Sequence, residues 1–152
     1  MISVCMATYN GGKFIREQLE SILSQLPSVD AEIVIADDGS TDNTLSVIAS
    51  LNDLRIRVLP AEKHLGVIYN FERALQSAKG DIVFLADQDD IWIPGKVKKI
   101  LEALKTSDLV LHDAFMLCDG IRGRLLSEIR PYCGGVIRNW WKNSIQPIAM
   151  SS

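Results

Sequence analysis

Short apolar runs alternate with amphipathic segments over the first 111 residues, and this alternation limits the possible folds more than any other feature of the sequence. Each run is too short for an ordinary helix, and most are rich in β-branched residues, so each is predicted to be a strand. Such alternation requires a mainly parallel sheet with right-handed crossovers and helices on both faces. We therefore predict an α/β fold with strands at Ile2–Ala7, Ala31–Ala36, Arg55–Leu59, Ile82–Ala86 and Leu109–Leu111.

Four amphipathic helices are predicted between these strands. Their apolar residues recur at helical spacing, while the remaining positions are mostly polar. Ser40 or Thr41 is predicted to cap the second helix, and the pair Lys79-Gly80 is predicted to end the third. The residues predicted to face inward are Ile15, Leu19, Ile22, Leu23 and Leu26, then Leu45, Ile48 and Leu51, then Ile68, Phe71, Leu75 and Ala78, and finally Val97, Ile100, Leu101 and Leu104.

The pattern weakens beyond His112. Phe115–Cys118 and Leu125–Glu128 are predicted to pair as strands around residues 120–123. Ile137–Ser144 is predicted to form a short helix. No repeat, linker or low-complexity tract interrupts the chain, and its length suits a single domain with one core.

Three of the predicted strands end in polar residues that a packed core does not need. Strand one is followed by residues 8–10 (Thr-Tyr-Asn), strand two by residues 37–38 (Asp-Asp) and strand four by residues 87–90 (Asp-Gln-Asp-Asp). The carboxyl ends of parallel strands share one edge, so five carboxylates would meet there if these strands are neighbours. Like charges so placed require a cation, and their oxygen atoms suit Mg²⁺ or Mn²⁺. Because a metal held by one or two carboxylates also takes water and phosphate oxygens, the predicted ligand is a nucleotide diphosphate.

These three segments together resemble one known family. Residues 4–10 read Val-Cys-Met-Ala-Thr-Tyr-Asn, residues 33–42 read Ile-Val-Ile-Ala-Asp-Asp-Gly-Ser-Thr-Asp, and residues 80–92 read Gly-Asp-Ile-Val-Phe-Leu-Ala-Asp-Gln-Asp-Asp-Ile-Trp. In order and spacing they resemble the family-2 inverting glycosyltransferases of the GT-A (nucleotide-diphospho-sugar transferase) fold. The Asp-Gln-Asp-Asp-Ile-Trp form is similar to the branch that builds bacterial surface polysaccharides, which includes rhamnosyltransferases. The resemblance covers about the first 115 residues.

The resemblance implies a site for a UDP- or dTDP-sugar. Thr8, Tyr9 and Asn10 would line the base and the ribose of the donor. Asp37 would read the pyrimidine edge, and Asp38 would support the turn. The implied activity is transfer of a hexosyl or deoxyhexosyl group to a glycan or lipid-linked acceptor.

The resemblance also implies a metal, Mg²⁺ or Mn²⁺, bound at the end of strand four. Asp87 would face the ribose or the metal, and Asp89 would bind the metal that bridges the diphosphate. Asp90 is expected to be only a cap or turn residue. Residues 64–66 with Asn70 resemble the donor-side loop and helix of the family, although the usual Asn-x-Gly reads His-x-Gly here.

The acceptor side is less clear in this sequence. Inversion needs a base that takes the proton of the acceptor hydroxyl, and in the family this is an acidic residue well downstream of the Asp-x-Asp motif. After Asp119 the sequence holds one carboxylate, Glu128, so the base is unknown. Relatives continue further, so the chain is expected to be truncated. We expect residues 1–115 to form the nucleotide-sugar-binding core and 116–152 to begin an acceptor-side region, within one structural domain.

Charge and composition limit the partners. The net charge of -3 argues against nucleic acid as the main partner, but the segment from Gly120 onward carries +4. The pair Trp140-Trp141 lies in that segment, which predicts either a membrane-surface or acceptor contact or a helix that docks one indole into the core. With no basic leader and no long apolar span, the chain is expected to be cytoplasmic, with the inner face of the membrane as its predicted contact.

Two other functions remain open from the sequence. A truncated chain could be a nucleotide- and metal-binding module without turnover. A phosphoacceptor receiver domain is also a small parallel α/β domain with an acidic pocket. Its acid pair follows the first strand, however, and here the first strand ends in residues 8–10, which include no acid.

Overall fold

The structure, a computed structural model, describes residues 1–60 and 64–112 with their side chains and the backbone of three later strands. The strands are β1 (Ile2–Thr8), β2 (Ala31–Asp37), β3 (Ile56–Val58), β4 (Ile82–Ala86), β5 (Leu109–Leu111), β6 (Phe115–Cys118), β7 (Ile121–Leu125) and β8 (Ile148–Ser151). The helices are α1 (Ile15–Leu23), α2 (Thr44–Ser50), α3 (Val67–Ser77) and α4 (Lys96–Ala103). All five strands and all four helices predicted for the first 111 residues are therefore present.

Strands β1, β2 and β4 are neighbours, as the proposed convergence of carboxylates requires. The main sheet has the order β3-β2-β1-β4-β8-β5, and β1 runs parallel to β2 on one side and to β4 on the other. Thr8 is in register with Asp37, and Met6 is in register with Ala86. The polar residues that follow these three strands consequently lie at the same edge of the sheet.

Strand β8 was not predicted, and it is inserted in the sheet between β4 and β5. Its backbone pairs antiparallel with both, so that Ala149 is in register with Phe84 on one side and Val110 on the other. Four residues are too few to give a clear periodic signal. The sheet is therefore mainly parallel, as predicted, with one antiparallel strand in its interior.

The central strands β1 and β2 are buried on both faces of the sheet. One face carries the larger core, in which Val4 and Met6 of β1 pack with residues of α1, α2 and α4. The opposite face carries a smaller cluster that includes Cys5 and is covered by Ala74 of α3. Alternate residues of β1 thus point to opposite cores, which explains why its sequence is apolar without alternation.

The helices follow the predicted pattern with two exceptions on their inward faces. Leu45 of α2 is 40% exposed, and Ile68 of α3 is 57% exposed. On α2, Val47 packs against the core beside Ile48 and Leu51. On α3, the polar Asn70 is buried instead, because its side-chain amide donates a hydrogen bond to the Asp38 carboxylate.

The predicted helix ends are also different in the structure. Asp42, rather than Ser40 or Thr41, accepts the backbone N–H of Thr44 at the start of α2 (2.9 Å). Gly80 does not form a C-cap of α3, which ends at Ser77. It lies against the backbone of β1, where a Cβ on Gly80 would be 2.7 Å from the carbonyl oxygen of Met1.

An antiparallel strand pair follows His112, in which β6 matches the predicted first strand and β7 shares only Leu125 with the predicted second strand. The second strand begins at Ile121, four residues earlier than predicted. The helix predicted at Ile137–Ser144 lies outside the residues that the structure describes. Within the described part of the chain, no helix combines the length and apolar character needed to cross a membrane.

Candidate functional site

A cavity of about 510 Å³ opens at the edge where β1, β2 and β4 end. This volume is in the range of pockets that hold small molecules and cofactors. The position agrees with the rule that parallel α/β sheets bind ligands beyond the carboxyl ends of their strands. The residues that line the cavity are Ala7, Thr8, Tyr9, Asp38, His64, Gly66, Val67, Asn70, Asp87, Gln88, Asp89 and Asp90.

One wall of the cavity is acidic. Burial, followed by the charges of Asp90 and Asp89, raises the pKa of Asp87 to about 6. Lys96 lies on the same side, and burial lowers its pKa to about 8 against the opposing influence of Asp90 and Asp87. Its ammonium group sits 4.2 Å from the centre of the Trp92 ring. Three carboxylates are thus grouped on this wall, where their mutual repulsion adds to the effect of burial and Lys96 opposes it.

Asp90 belongs to this wall, although it was predicted to be only a cap or turn residue. It lines the cavity with Asp87 and Asp89. Burial and the charge of Asp89 raise its pKa. The sequence did not reveal this lining position because a turn residue and a pocket residue have the same sequence context at the end of a strand.

Asp38 organises the opposite wall by holding the loop that leads into α3. Its carboxylate accepts the backbone N–H of Leu65 (2.8 Å) and of Gly66 (3.0 Å) and the side-chain amide of Asn70 (2.6 Å). Burial opposes ionisation of Asp38, but these hydrogen bonds outweigh it and lower the pKa. Asn70 is buried because it completes this network from the first turns of α3.

The structure reverses the positions expected for Asp37 and Asp38, of which the first was expected at the ligand and the second in the turn. Asp37 is buried and does not line the cavity. Its carboxylate accepts the hydroxyl of Thr8 (2.7 Å), the hydroxyl of Ser40 (2.6 Å) and the backbone N–H groups of Gly39 and Ser40. Asp37 therefore supports the turn, and Asp38 faces the cavity.

Thr8 and Tyr9 line the cavity as expected, whereas Asn10 does not. Asn10 has φ +48°, and its side-chain oxygen accepts the backbone N–H of Thr41 (2.9 Å). Its own backbone N–H donates to the hydroxyl of Ser40 (2.9 Å). Asn10 thus joins the loops after β1 and β2 and shapes the site from outside the cavity.

His64 was not among the predicted site residues, yet it lies beside both Tyr9 and Asp38 in the lining of the cavity. Its ring centre lies 4.7 Å from that of Tyr9, at a tilt of 47°. Its Nδ1 atom is 2.9 Å from the Asp38 carboxylate. The only sequence signal was its place in the His-x-Gly segment ahead of Asn70.

Gln88 was also missed, although it stands between two predicted site residues. Its side-chain oxygen accepts the backbone N–H of Tyr9 (3.0 Å), and its side-chain nitrogen donates to the carbonyl oxygen of Tyr9 (3.1 Å). These two hydrogen bonds connect Gln88 to Tyr9, which is distant in sequence and lines the cavity. No local pattern identifies such a contact.

Three comparisons with known proteins bear on this site. The family model described as glycosyl transferase family 2 matches residues 3–146. A dTDP-rhamnosyl transferase of Shigella flexneri, RfbG, is 41% identical over 106 residues, which are 65% of this chain and 36% of the relative.

Solved structures share the architecture. A crystal structure of S. aureus TarS 1–349 in complex with UDP-GlcNAc has 31% identity and a TM-score of 0.70, and the match covers 79% of this chain and 36% of TarS. A mannosyltransferase from Pyrobaculum calidifontis in complex with GDP-Man and Mn²⁺ has 27% identity and a TM-score of 0.64, with 70% and 33% of the two chains covered. The likeness confirms the predicted GT-A fold. The chain spans about a third of the length of the curated relatives it matches.

Proposed function

Because the chain belongs to glycosyl transferase family 2, we propose that it moves a sugar from a nucleotide diphosphate to a glycan or lipid-linked acceptor, with inversion, in bacterial surface polysaccharide synthesis. The observation that carries this proposal is the convergence of residues 8–10, 37–38 and 87–90 at one edge of the sheet. A cavity of suitable size for a nucleotide opens there.

The nucleotide half of the donor is assigned to the wall made by Thr8, Tyr9 and Asp38, with Asp87 on the side of the ribose. Asn10 and Asp37 act on the same half indirectly, because their hydrogen bonds fix the loops that carry this wall. UDP and dTDP are the proposed donor nucleotides. In support, one relative is named a dTDP-rhamnosyl transferase, and TarS has been solved with UDP-GlcNAc.

The residues present fit a divalent metal that is shared with the donor. Among the side chains that the structure describes, no three His, Cys, Asp or Glu groups are placed to hold a metal by themselves. Asp87 and Asp89 would therefore hold it together with diphosphate oxygens and water, an arrangement typical of Mg²⁺ and Mn²⁺. The grouping of Asp87, Asp89 and Asp90 in the lining of the cavity favours a cation there. When bound, the metal would stabilise the negative charge that develops on the leaving diphosphate.

The chain's own residues supply binding and orientation. The bond between C1 of the sugar and the phosphate oxygen breaks as the acceptor hydroxyl attacks from the opposite side, and a base takes the hydroxyl proton. The acidic wall at Asp87 and Asp89 and the nucleotide wall at Asp38 fix the two ends of the leaving nucleotide. The base is not assigned, since Glu128 lies outside the described residues.

Acceptor, membrane contact and location stay predictions. We propose that residues 1–115 hold the donor and that residues 116–152 begin the acceptor side, which the basic charge of this segment supports. A donor-binding module without turnover remains the second candidate, because the chain spans about a third of its relatives. Family membership removes the receiver-domain alternative.

Calorimetric titration tests the donor proposal. UDP or dTDP should bind in the presence of Mn²⁺, and Asp89→Asn should weaken that binding at least about tenfold, because one of two proposed metal carboxylates is lost. Asp30→Asn is the matched control, since Asp30 is exposed at the opposite edge of the sheet and its φ of +62° suits asparagine.

Absence of nucleotide binding with and without Mn²⁺ would refute the proposal. An equal effect of Asp30→Asn and Asp89→Asn would remove the assignment of Asp89. A transfer and hydrolysis assay with the donor that binds then separates an active transferase from a binding module.

A further inference from the structure

The Gln88 side chain extends the connection between β1 and β4 beyond the end of their hydrogen-bonded ladder. The register of the two strands ends at Met6 and Ala86. Past this point the amide of Gln88 makes both a donor and an acceptor contact with the backbone of Tyr9, at 3.1 and 3.0 Å. Two such bonds fix orientation as well as distance, much as a pair of residues does within a sheet.

The contact between Gln88 and Tyr9 leaves no space for a side chain at position 11. A Cβ built on Gly11 would be 2.2 Å from the side-chain oxygen of Gln88, so any residue larger than glycine at position 11 displaces the amide. From the other side, Gln18, which is fully buried, donates to the carbonyl oxygen of Asp87 (2.8 Å). The segment from Asp87 to Asp89 is thus attached both to α1 and to the loop after β1.

This contact joins the two halves of the proposed site. Gln88 lies between Asp87 and Asp89, which are proposed to hold the metal. Tyr9 lies in the wall proposed to hold the base and the ribose. A ligand that fixes one of these segments therefore restricts the other through the same two hydrogen bonds.

We propose that Gln88 is a positioning residue that couples metal binding to nucleoside binding. The inference rests on the proposed function, because it needs both ligands to bind. Coupling of this kind is reciprocal, so the nucleoside strengthens metal binding by the same factor as the metal strengthens nucleoside binding. It differs from the direct contact between metal and diphosphate, which needs phosphate oxygens.

The test uses uridine and thymidine, which carry no phosphate and therefore cannot bridge to the metal. Calorimetry measures the affinity for Mn²⁺ with and without a saturating concentration of each nucleoside, and the affinity for the nucleoside with and without Mn²⁺. In the unmodified chain we expect one nucleoside to tighten Mn²⁺ binding about fivefold or more, the usual lower range of site-to-site coupling. The reverse titration should give the same factor.

Gln88→Met removes both hydrogen bonds while keeping the length of the side chain, and it should reduce the coupling factor to about one. Gly11→Ala is an independent variant, since it should displace the amide without changing Gln88. Once Gln88→Met is present, Gly11→Ala should cause no further loss of coupling. Gln76→Ala is the control, because Gln76 is exposed on α3 and pairs only with Glu72 among the contacts recorded for it.

The outcomes separate the inference from the proposed function. Three results overturn the inference and leave the proposed function intact: unchanged coupling in Gln88→Met, independent binding of Mn²⁺ and nucleoside in the unmodified chain, or failure of Mn²⁺ or of both nucleosides to bind when no phosphate is present. Failure of Mn²⁺ with UDP and dTDP to bind at all overturns the proposed function. A merely structural brace would lower thermal stability without changing the coupling factor, which would also overturn the inference. If Gln88→Met does not fold, the same comparison is made with Gly11→Ala.

Discussion

At the scale of single residues, the acidic wall lowers the stability of the metal-free protein. Burial and two neighbouring carboxylates raise the pKa of Asp87 to about 6 in the folded chain, compared with 3.8 in the absence of these influences. Between these two values the folded state binds more protons than the unfolded state. The contribution of Asp87 to stability is therefore fully present below about pH 4 and is lost as the pH rises through about 6.

We expect Asp87→Asn to stabilise the metal-free protein near neutral pH. The neutral amide removes a charge whose ionisation is unfavourable in the fold. Allowing for solvent screening at an open cavity, the gain should be about 1–2 kcal/mol at about pH 7.5, and it should largely disappear near pH 4. Urea unfolding without metal at both pH values measures it.

Asp30→Asn is the control for this prediction, because Asp30 is exposed at the opposite end of β2 from the acidic wall and its replacement should leave the stability nearly unchanged. Asp87→Asn and Asp89→Asn should both lose the stabilisation by Mn²⁺ and nucleotide that we expect of the unmodified chain. A less stable Asp87→Asn protein at neutral pH would contradict the prediction.

Residue types at the site were predictable, but their individual roles were only partly so. Polar residues after three parallel strands identified the cavity edge, and Thr8, Tyr9, Asp87 and Asp89 line it. The roles of the adjacent Asp37 and Asp38 depend on which way the chain bends after β2, which no local pattern specifies. The contacts of Gln88 with Tyr9 depend on loops distant in sequence, so they required the structure.

At the scale of elements, the close approach of β4 to β1 depends on a glycine. Gly80 lies beside the first residues of β1, and a Cβ there would be 2.7 Å from both the Met1 carbonyl oxygen and the Ser3 backbone nitrogen. The Ser3 hydroxyl accepts the backbone N–H of Gly80 (2.8 Å) and donates to Glu32 (2.8 Å). Backbone atoms inside a sheet cannot shift to relieve such a close contact without a large energetic cost.

We expect Gly80→Ala to destabilise the fold by about 2–4 kcal/mol, because β1 and β4 must separate or distort. Gly39→Ala is the matched comparison, since Gly39 has φ +84° and open space around its Cα. It should cost about 1 kcal/mol through backbone strain alone. Urea unfolding of both variants measures the difference, and equal losses would contradict the role of close packing at Gly80.

At the scale of the whole molecule, β8 completes the sheet. The four strands β3, β2, β1 and β4 form a parallel unit. Among the strands that the structure describes, β8 connects β5 to this unit. The parallel unit was predictable from periodicity and connection rules. The position of β8 was not, because a four-residue strand is specified by its two neighbours rather than by its own sequence.

Ala149→Pro should detach β5 from the sheet. Proline removes a backbone N–H at the position in register with Phe84 and Val110, at a cost of about 3 kcal/mol or more in a central strand. Hydrogen exchange should then show loss of protection in β5, while β1 and β2 stay protected. Ala149→Gly keeps the N–H and should lose only about 1 kcal/mol. Full protection of β5 in Ala149→Pro would contradict the central position of β8.

The attachment of Tyr9 has a consequence for how such a site can diversify. Gln88 holds Tyr9 only through its main-chain N–H and carbonyl groups, which every residue except proline possesses. The aromatic side chain is 45% exposed and is therefore not needed to close the core. Under the proposed assignment of Tyr9 to the base, mutation at position 9 should change donor preference while the hydrogen bonds between the two loops survive, so this position is a suitable place to select such variants.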